Sequence, residues 1–118
     1  MKSDLKLVNV TKRYGETVAV KSINHHFRSG SYACLLGPSG CGKSTTLRMI
    51  AGHENVSDGS IVLDGRDVSH LPPAKRGTAM MFQSYALFPH LSVADNVSFS
   101  LKMKGIDAGK RRTRAMEM

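Results

Sequence analysis

The residues with the clearest chemistry form a glycine-rich run that ends in a lysine and a hydroxyl side chain. They match the pattern G-x-x-x-x-G-K-[ST] and are Gly37, Pro38, Ser39, Gly40, Cys41, Gly42, Lys43 and Ser44, with Thr45 next. Glycines let consecutive backbone N–H groups surround a phosphate. The lysine would bind the β- and γ-phosphates of a nucleotide, and the serine hydroxyl would ligate Mg²⁺. The alternative is a glycine-rich turn that matches the pattern by chance.

This loop needs a strand before it and a helix after it. Residues 32–36 are apolar on both faces, which is typical of a buried strand in a parallel sheet. A helix is predicted to begin near Lys43, so that its N-terminal N–H groups also face the phosphate, and to end at Gly52. Its sheet-facing residues would be Leu47, Ile50 and Ala51. Both flanking elements favour a phosphate site over a chance match.

Alternating apolar residues predict the other strands. One strand contains Leu5, Leu7 and Val10, and a turn at residues 14–16 leads to a second with Val18 and Val20, continuing towards Ile23. A further strand over residues 60–63 ends in the tight-turn pair Asp64-Gly65. Residues 78–82 are predicted to form another buried strand.

The C-terminal part of the sequence predicts helices. Ser92 has the features of an N-cap with Asp95 three residues later, and the apolar stripe behind it is Val93, Val97 and Leu101. Gly105 is expected to end this helix, and Asp107 to cap another.

Composition sets wider limits. The chain has 118 residues and a net charge of +8, half of it from residues 101–118, where six Lys/Arg face two acidic residues. A basic tail can bind nucleic acid or an anionic membrane, but no aromatic residue there could stack on bases. A solvated helix face is therefore the favoured interpretation, and no nucleic acid is expected.

No apolar run is long enough to cross a bilayer, which predicts a soluble, cytoplasmic chain. Cys34 is interpreted as a buried strand residue, and no disulfide is expected.

Other classes of phosphate-binding protein fit less well. A GTPase would need Asp-x-x-Gly and Asn-Lys-x-Asp, and the sequence contains neither. A small-molecule kinase stays open on these elements alone.

Two further segments carry a family resemblance. Residues 10–15 (VTKRYG) with residues 37–45 (GPSGCGKST) resemble the opening of ABC ATPases, and residues 81–93 (MFQSYALFPHLSV) resemble the Q-loop region of importer ATPases. With residues 64–73 (DGRDVSHLPP), the match is similar to importers for polyamines, ferric iron or related small solutes. The resemblance implies ATP and Mg²⁺ as ligands, Tyr14 stacking on adenine, and Gln83 reaching the Mg²⁺ and the attacking water.

The resemblance also implies partners. These are membrane-spanning permease subunits and a second ATP-binding subunit, in a homodimer on the inner face of the cell membrane. The segment that would receive a helix of the membrane subunit contains Tyr85, Ala86, Leu87, Phe88 and Pro89. Alternatively, Leu87 and Phe88 close a core against the helix over residues 93–101.

The implied fold class is α/β: a P-loop NTPase (RecA-like) core with an N-terminal antiparallel β subdomain, truncated before the signature motif and the Walker B strand. Residues 1–91 would hold the β subdomain and P-loop core, and residues 92–118 the start of the helical subdomain. The sequence contains no Leu-Ser-Gly-Gly-Gln, no apolar run ending in Asp-Glu, and no histidine at the family's switch position. We therefore expect nucleotide contact without turnover; the alternative is a non-catalytic fragment or a basic binding module.

Overall fold

A computed structural model describes residues 3–38, 40 and 42–118. The chain divides into two compact units, one up to Met80 and the other from Met81 on. The strands are β1 (Leu5–Tyr14), β2 (Thr17–Phe27), β3 (Asp58–Leu63) and β4 (Arg66–Asp67). The helices are α1 (Lys43–Ala51), α2 (Val93–Val97), α3 (Phe99–Met103) and α4 (Ala108–Met116), with a 3₁₀ turn at Pro73–Lys75.

The first unit is built on an antiparallel sheet with strand order β2-β1-β3-β4. β1 and β2 form a hairpin in which Leu5 pairs with Phe27 and Tyr14 with Thr17. The turn between them contains Gly15, whose φ of 61° favours glycine. The predicted first two strands and their turn are confirmed, because the alternating pattern needs only a local hairpin partner.

The turn between β3 and β4 is also as predicted. Asp64 and Gly65 have φ values of 52° and 79°, the left-handed pair that a two-residue type I′ hairpin requires. Leu63 pairs with Arg66 across this turn. Asp-Gly therefore sets the strand reversal by local backbone preference alone.

The core of the first unit lies between the sheet and α1. Its buried members are Leu7, Val10, Val20, Met49, Ile61 and Val68. α1 contributes Thr46, Met49 and Ala51 to its buried face. Of the three residues predicted to face the sheet, Ala51 is buried and Ile50 packs against the core, but Leu47 is 48% exposed.

The predicted buried strand at residues 32–36 is also wrong. These residues form no regular element, and Tyr32 and Leu36 are 97% and 87% exposed. Cys34, predicted to be buried, is exposed with a free thiol. A central parallel strand needs neighbouring strands for its backbone N–H and C=O groups, and within the described residues none pairs with this segment.

The unpaired segment leaves space beside the sheet. A cavity of about 400 Å³ lies between residues 33–36 and the hairpin, and Leu7, Ile23 and Phe27 line its sheet side. The apolar residues of the segment thus lie beside the core without being packed into it.

The second predicted buried strand, residues 78–82, is likewise absent. The backbone there is irregular and Met81 is largely exposed. The same reason applies: an apolar run becomes a buried strand only where a sheet offers it a place.

The second unit contains α2, α3 and α4. The Ser92 hydroxyl accepts a hydrogen bond from the Asp95 N–H at 3.1 Å, and the Asp107 carboxylate accepts one from the Lys110 N–H at 3.1 Å. Both predicted N-caps are therefore confirmed. Gly105 follows α3 with a φ of 80°, which confirms the predicted helix end.

The predicted single helix over residues 93–101 is interrupted. It divides into α2 and α3 at Ser98, a buried residue whose hydroxyl donates to the Ala94 carbonyl at 2.8 Å. Such back-bonding by serine commonly accompanies a bend in a helix. Val93 and Val97 are 82% and 48% exposed, so the predicted apolar stripe does not form a continuous buried face.

Candidate functional site

Gly42 joins the glycine-rich loop to α1. Its φ is 90°, and a Cβ built on it would lie 2.7 Å from the Ala19 carbonyl oxygen and 3.0 Å from Cγ2 of Val20. Only glycine satisfies both the left-handed backbone and this close approach. The loop is thereby held against β2 at the position where the helix begins.

The first turn of α1 is arranged to present its N-terminus. The Thr46 N–H and hydroxyl both donate to the Gly42 carbonyl, at 2.9 and 2.8 Å. The first turn contains no acidic side chain that would occupy the positive end of the helix dipole. This end of the helix suits an anion from outside the chain.

Lys43 closes the loop. Its ammonium group donates to the carbonyl of Gly37, at the opposite end of the predicted phosphate loop. The structure thus brings together the first glycine of the predicted loop, Gly37, and its lysine, Lys43.

The structure gives the exposure of four of the other predicted loop residues. Pro38, Gly40 and Ser44 are exposed, and Thr45 is partly buried. Ser39 and Cys41 lie outside the described residues.

The hairpin of β1 and β2 brings Tyr14 near the glycine-rich loop. It ends β1 opposite Thr17, and Ala19, which Gly42 approaches, follows two residues later on β2. Two strand residues span about 7 Å. The ring is 48% exposed, so an aromatic surface is available close to the loop.

The Tyr14 ring has a fixed cation beside it. The Lys12 ammonium lies 5.1 Å from the ring centroid, 2.9 Å from the Glu54 carboxylate and 2.8 Å from the Asn55 carbonyl. The hydrogen bond from Lys12 lowers the pKa of Glu54, burial opposes this, and a hydrogen bond from the Tyr14 hydroxyl lowers it further. These side chains form one connected group at the end of the hairpin.

Gln83 belongs to the second unit. It lies in an exposed turn in which Tyr85 and Ala86 have left-handed φ values of 63° and 52°. Its predicted contacts with Mg²⁺ and water stay a prediction.

The residues of the predicted partner segment, 85–89, differ in how exposed they are. Tyr85 and Leu87 are largely exposed, and Ala86 and Pro89 are exposed as well. Phe88 is 38% exposed, and its ring lies 4.5 Å from that of Phe99 in α3. Phe88 therefore has the packing contact that the alternative interpretation expects. Leu87 is more exposed than Phe88.

Neither a metal-ligand cluster nor a membrane span was found in the part of the chain that the structure describes. No three His, Cys, Asp or Glu side chains come together there as a metal site would need. No helix there has the length and apolar character required to cross a bilayer.

A sequence profile described as "ABC transporter" matches residues 20–118, most of the chain. The chain belongs to the ABC transporter family.

Curated members of the ABC transporter family align with nearly the whole chain. The maltose/maltodextrin import ATP-binding protein MalK of Photorhabdus laumondii is 54% identical over 103 residues, 87% of this chain and 28% of MalK. The spermidine/putrescine import ATP-binding protein PotA of Thermobifida fusca is 53% identical over 116 residues, 97% of this chain and 30% of PotA. The chain therefore spans less than a third of the length of these relatives.

Solved ABC structures support the same fold. The dimeric structure of the ATP-binding cassette MJ0796 with ADP and Pi matches with a TM-score of 0.81 and 32% identity over 96% of this chain and 54% of that one. The fold class predicted from the sequence is therefore confirmed at the level of the ABC cassette, although two of its expected strands are not formed here.

Sequence reasoning about this ABC chain missed two residues that organise the loops. Arg76 is buried and donates to four backbone carbonyls, and burial lowers its pKa. Asn96 exchanges hydrogen bonds with the Phe88 backbone, donating to its carbonyl at 3.3 Å and accepting from its N–H at 2.9 Å. Single polar residues such as these have no pattern in the sequence that distinguishes them from surface residues.

Proposed function

We propose that this chain binds the triphosphate of ATP, with Mg²⁺, at the N-terminus of α1. The observation that carries the proposal is the closed loop: Gly42 is held against Ala19, and Lys43 spans to the Gly37 carbonyl. A phosphate at this position would replace the Gly37 carbonyl as the partner of the Lys43 ammonium. It would also accept hydrogen bonds from the N-terminal N–H groups of α1. Residues 37–45 are the proposed phosphate-binding segment.

The remaining ligand contacts follow from the side chains nearby. Ser44 is exposed in the first turn of α1 and would offer a hydroxyl to Mg²⁺, an ion that commonly uses few protein ligands together with substrate phosphates. Tyr14, half exposed at the end of the hairpin, would stack on adenine. When bound, Mg²⁺ would neutralise charge on the phosphates.

In the complete protein, we propose that ATP hydrolysis drives import of a small solute across the cytoplasmic membrane. Support comes from the relatives, which are named as import ATP-binding proteins for maltodextrin or for polyamines. Gln83 is proposed to act in the hydrolysis step of the complete protein. The partners would be permease subunits, contacted through residues 85–89, and a second ATP-binding subunit, as the dimeric MJ0796 structure suggests.

For the 118 residues alone we propose binding without turnover. Phosphoryl transfer needs a carboxylate that holds the metal and a group that positions water. The sequence has no apolar run ending in Asp-Glu that would supply the carboxylates. Purified chain should therefore release phosphate from ATP no faster than a buffer control, and release abolished by Lys43→Ala would contradict this part of the proposal.

Calorimetric titration with ATP at fixed Mg²⁺ tests the binding site. Lys43→Ala should weaken binding tenfold or more, because a charge-assisted phosphate contact contributes about 1.5–3 kcal/mol. Lys21→Ala is the control, since it removes the same charge from an exposed position on β2. Equal ATP affinity in the parent and in Lys43→Ala would overturn the proposed site.

A further inference from the structure

We propose that Lys12 is a positioning residue that holds the Tyr14 ring for base stacking and so sets how much the nucleotide base adds to binding. This inference rests on the proposed nucleotide site and assigns to it a residue outside the phosphate loop. The observation that carries it is the Lys12 ammonium fixed 5.1 Å from the centroid of the Tyr14 ring.

The Lys12 side chain has a more fixed position than exposed lysine side chains usually have. Its ammonium has two oxygen partners, the Glu54 carboxylate at 2.9 Å and the Asn55 carbonyl at 2.8 Å, and its side chain is only 12% exposed. Exposed lysines usually sample many rotamers, whereas this one has a defined position. A cation in a fixed place beside an aromatic ring can fix the ring in turn.

The partners of Lys12 connect it to the phosphate-binding helix. Glu54 and Asn55 follow Gly52, the residue that ends α1 and whose N–H donates to the Arg48 carbonyl at 2.9 Å. Lys12 also pairs in the hairpin with Val20, which together with Ala19 forms the part of β2 that Gly42 approaches. Lys12 thus joins the segment after α1 to the same part of β2 that anchors the start of α1.

The position of Lys12 has a chemical consequence for stacking. An ammonium group attracted to one face of an aromatic ring draws electron density towards itself. The opposite face then becomes a better partner for an electron-rich purine ring. Tyr14 remains half exposed beside Lys12, so surface is left for such a base.

The test compares ATP with inorganic tripolyphosphate, which has the phosphate chain without ribose or base. Affinities of both ligands are measured by calorimetry for the parent, Lys12→Met, Lys12→Arg and the charge control Lys21→Met. Removing Lys12 should lower the ratio of ATP to tripolyphosphate affinity by about two- to fivefold, the range of a partly exposed cation–π contact. Lys12→Arg should restore the ratio, and Lys21→Met should weaken both ligands by the same factor.

An unchanged ratio in Lys12→Met, or an equal change in Lys21→Met, would overturn the inference. If the parent binds tripolyphosphate but gains nothing from the base, Tyr14 is not a stacking residue and the inference fails while the phosphate site stands. If the parent binds neither ligand, the proposed function itself is wrong.

A ligand-free measurement tests the contact with Tyr14 in every case. The ring-proton NMR signals of Tyr14 should shift in Lys12→Met, because this change removes the ammonium from beside the ring. They should stay in place in Lys21→Met, with Tyr32 and Tyr85 as internal references. Unmoved Tyr14 signals in Lys12→Met would show that Lys12 does not position the ring.

Discussion

The guanidinium of Arg76 donates to the carbonyl oxygen of Met49 at 2.7 Å, in the last turn of α1. The same nitrogen reaches the Ile50 carbonyl at 3.2 Å, and the other nitrogens donate to the carbonyls of Leu71 and Ser69 at 2.8 and 3.1 Å. A cation at this end of a helix complements the negative pole of the helix dipole and donates to carbonyls of the last turn, where Met49 also accepts a longer hydrogen bond from the Gly52 N–H at 3.3 Å. Arg76 therefore fixes the end of α1 that lies away from the phosphate loop.

Arg76→Met should destabilise the first unit by about 2–3 kcal/mol, because it leaves buried carbonyls without donors. Urea denaturation followed by circular dichroism measures the change. Lys75→Met is the matched control, since Lys75 is exposed in the neighbouring position and should change the free energy of unfolding by less than about 0.5 kcal/mol. Equal effects of the two substitutions would contradict a special role for Arg76.

Gly42→Ala should cost more than Gly40→Ala. Both glycines have left-handed φ values, 90° and 78°, so alanine is strained at either position. Only at Gly42 would the added Cβ meet the Ala19 carbonyl, at 2.7 Å, whereas nothing lies within 4 Å at Gly40. In thermal unfolding, the free energy of unfolding of Gly42→Ala should be lower than that of Gly40→Ala by at least about 1 kcal/mol. The reverse order would show that the loop is not held against β2.

The ion pair of Lys12 and Glu54 predicts a dependence of stability on pH. Hydrogen bonding from Lys12 lowers the pKa of Glu54 in the folded chain, so the unfolded chain binds this proton more readily. The contribution to stability is complete above the ordinary glutamate pKa and is lost as the pH falls through the lowered folded value. In denaturation experiments from neutral to acid pH, Glu54→Gln should therefore lose less stability than the parent. Identical pH profiles would contradict the contribution of this pair.

Local signals in the sequence predicted the elements whose partners are local. Asp64-Gly65, Ser92 and Asp107 act on backbone groups within three residues, and all three behave as predicted. The contact of Lys43 with the Gly37 carbonyl likewise lies within its own loop.

Features that depend on distant partners could not be predicted in this way. Residues 32–36 have the composition of a buried strand, but pairing depends on a neighbour, and none is present among the described residues. Arg76 acts on carbonyls up to 27 residues away, as in its bond to Met49, and a lone arginine in a sequence is ordinarily interpreted as a surface residue.

Phe88 and Leu87 are adjacent, and the structure gives them different surroundings. The Phe88 ring packs 4.5 Å from that of Phe99, and the Phe88 N–H donates to the Asn96 side chain at 2.9 Å. Leu87 is 67% exposed. Tyr85, two residues before it, is 68% exposed, and exposed apolar patches mark surfaces that a partner protein covers. We therefore expect Phe88 to act mainly in folding and Leu87 mainly in contact with the proposed membrane subunit.

Single alanine variants separate these two effects. Phe88→Ala should lower the melting temperature of the second unit by several degrees, because losing a half-buried aromatic contact costs about 1–2 kcal/mol. Leu87→Ala should leave the melting temperature within about one degree, since most of its surface already contacts solvent. In pull-down with detergent-solubilised permease, however, Leu87→Ala should reduce the bound fraction although the chain stays folded. If Leu87→Ala binds permease as the parent does, and only unfolding variants lose binding, the segment over residues 85–89 belongs to the core of its own unit and not to the interface.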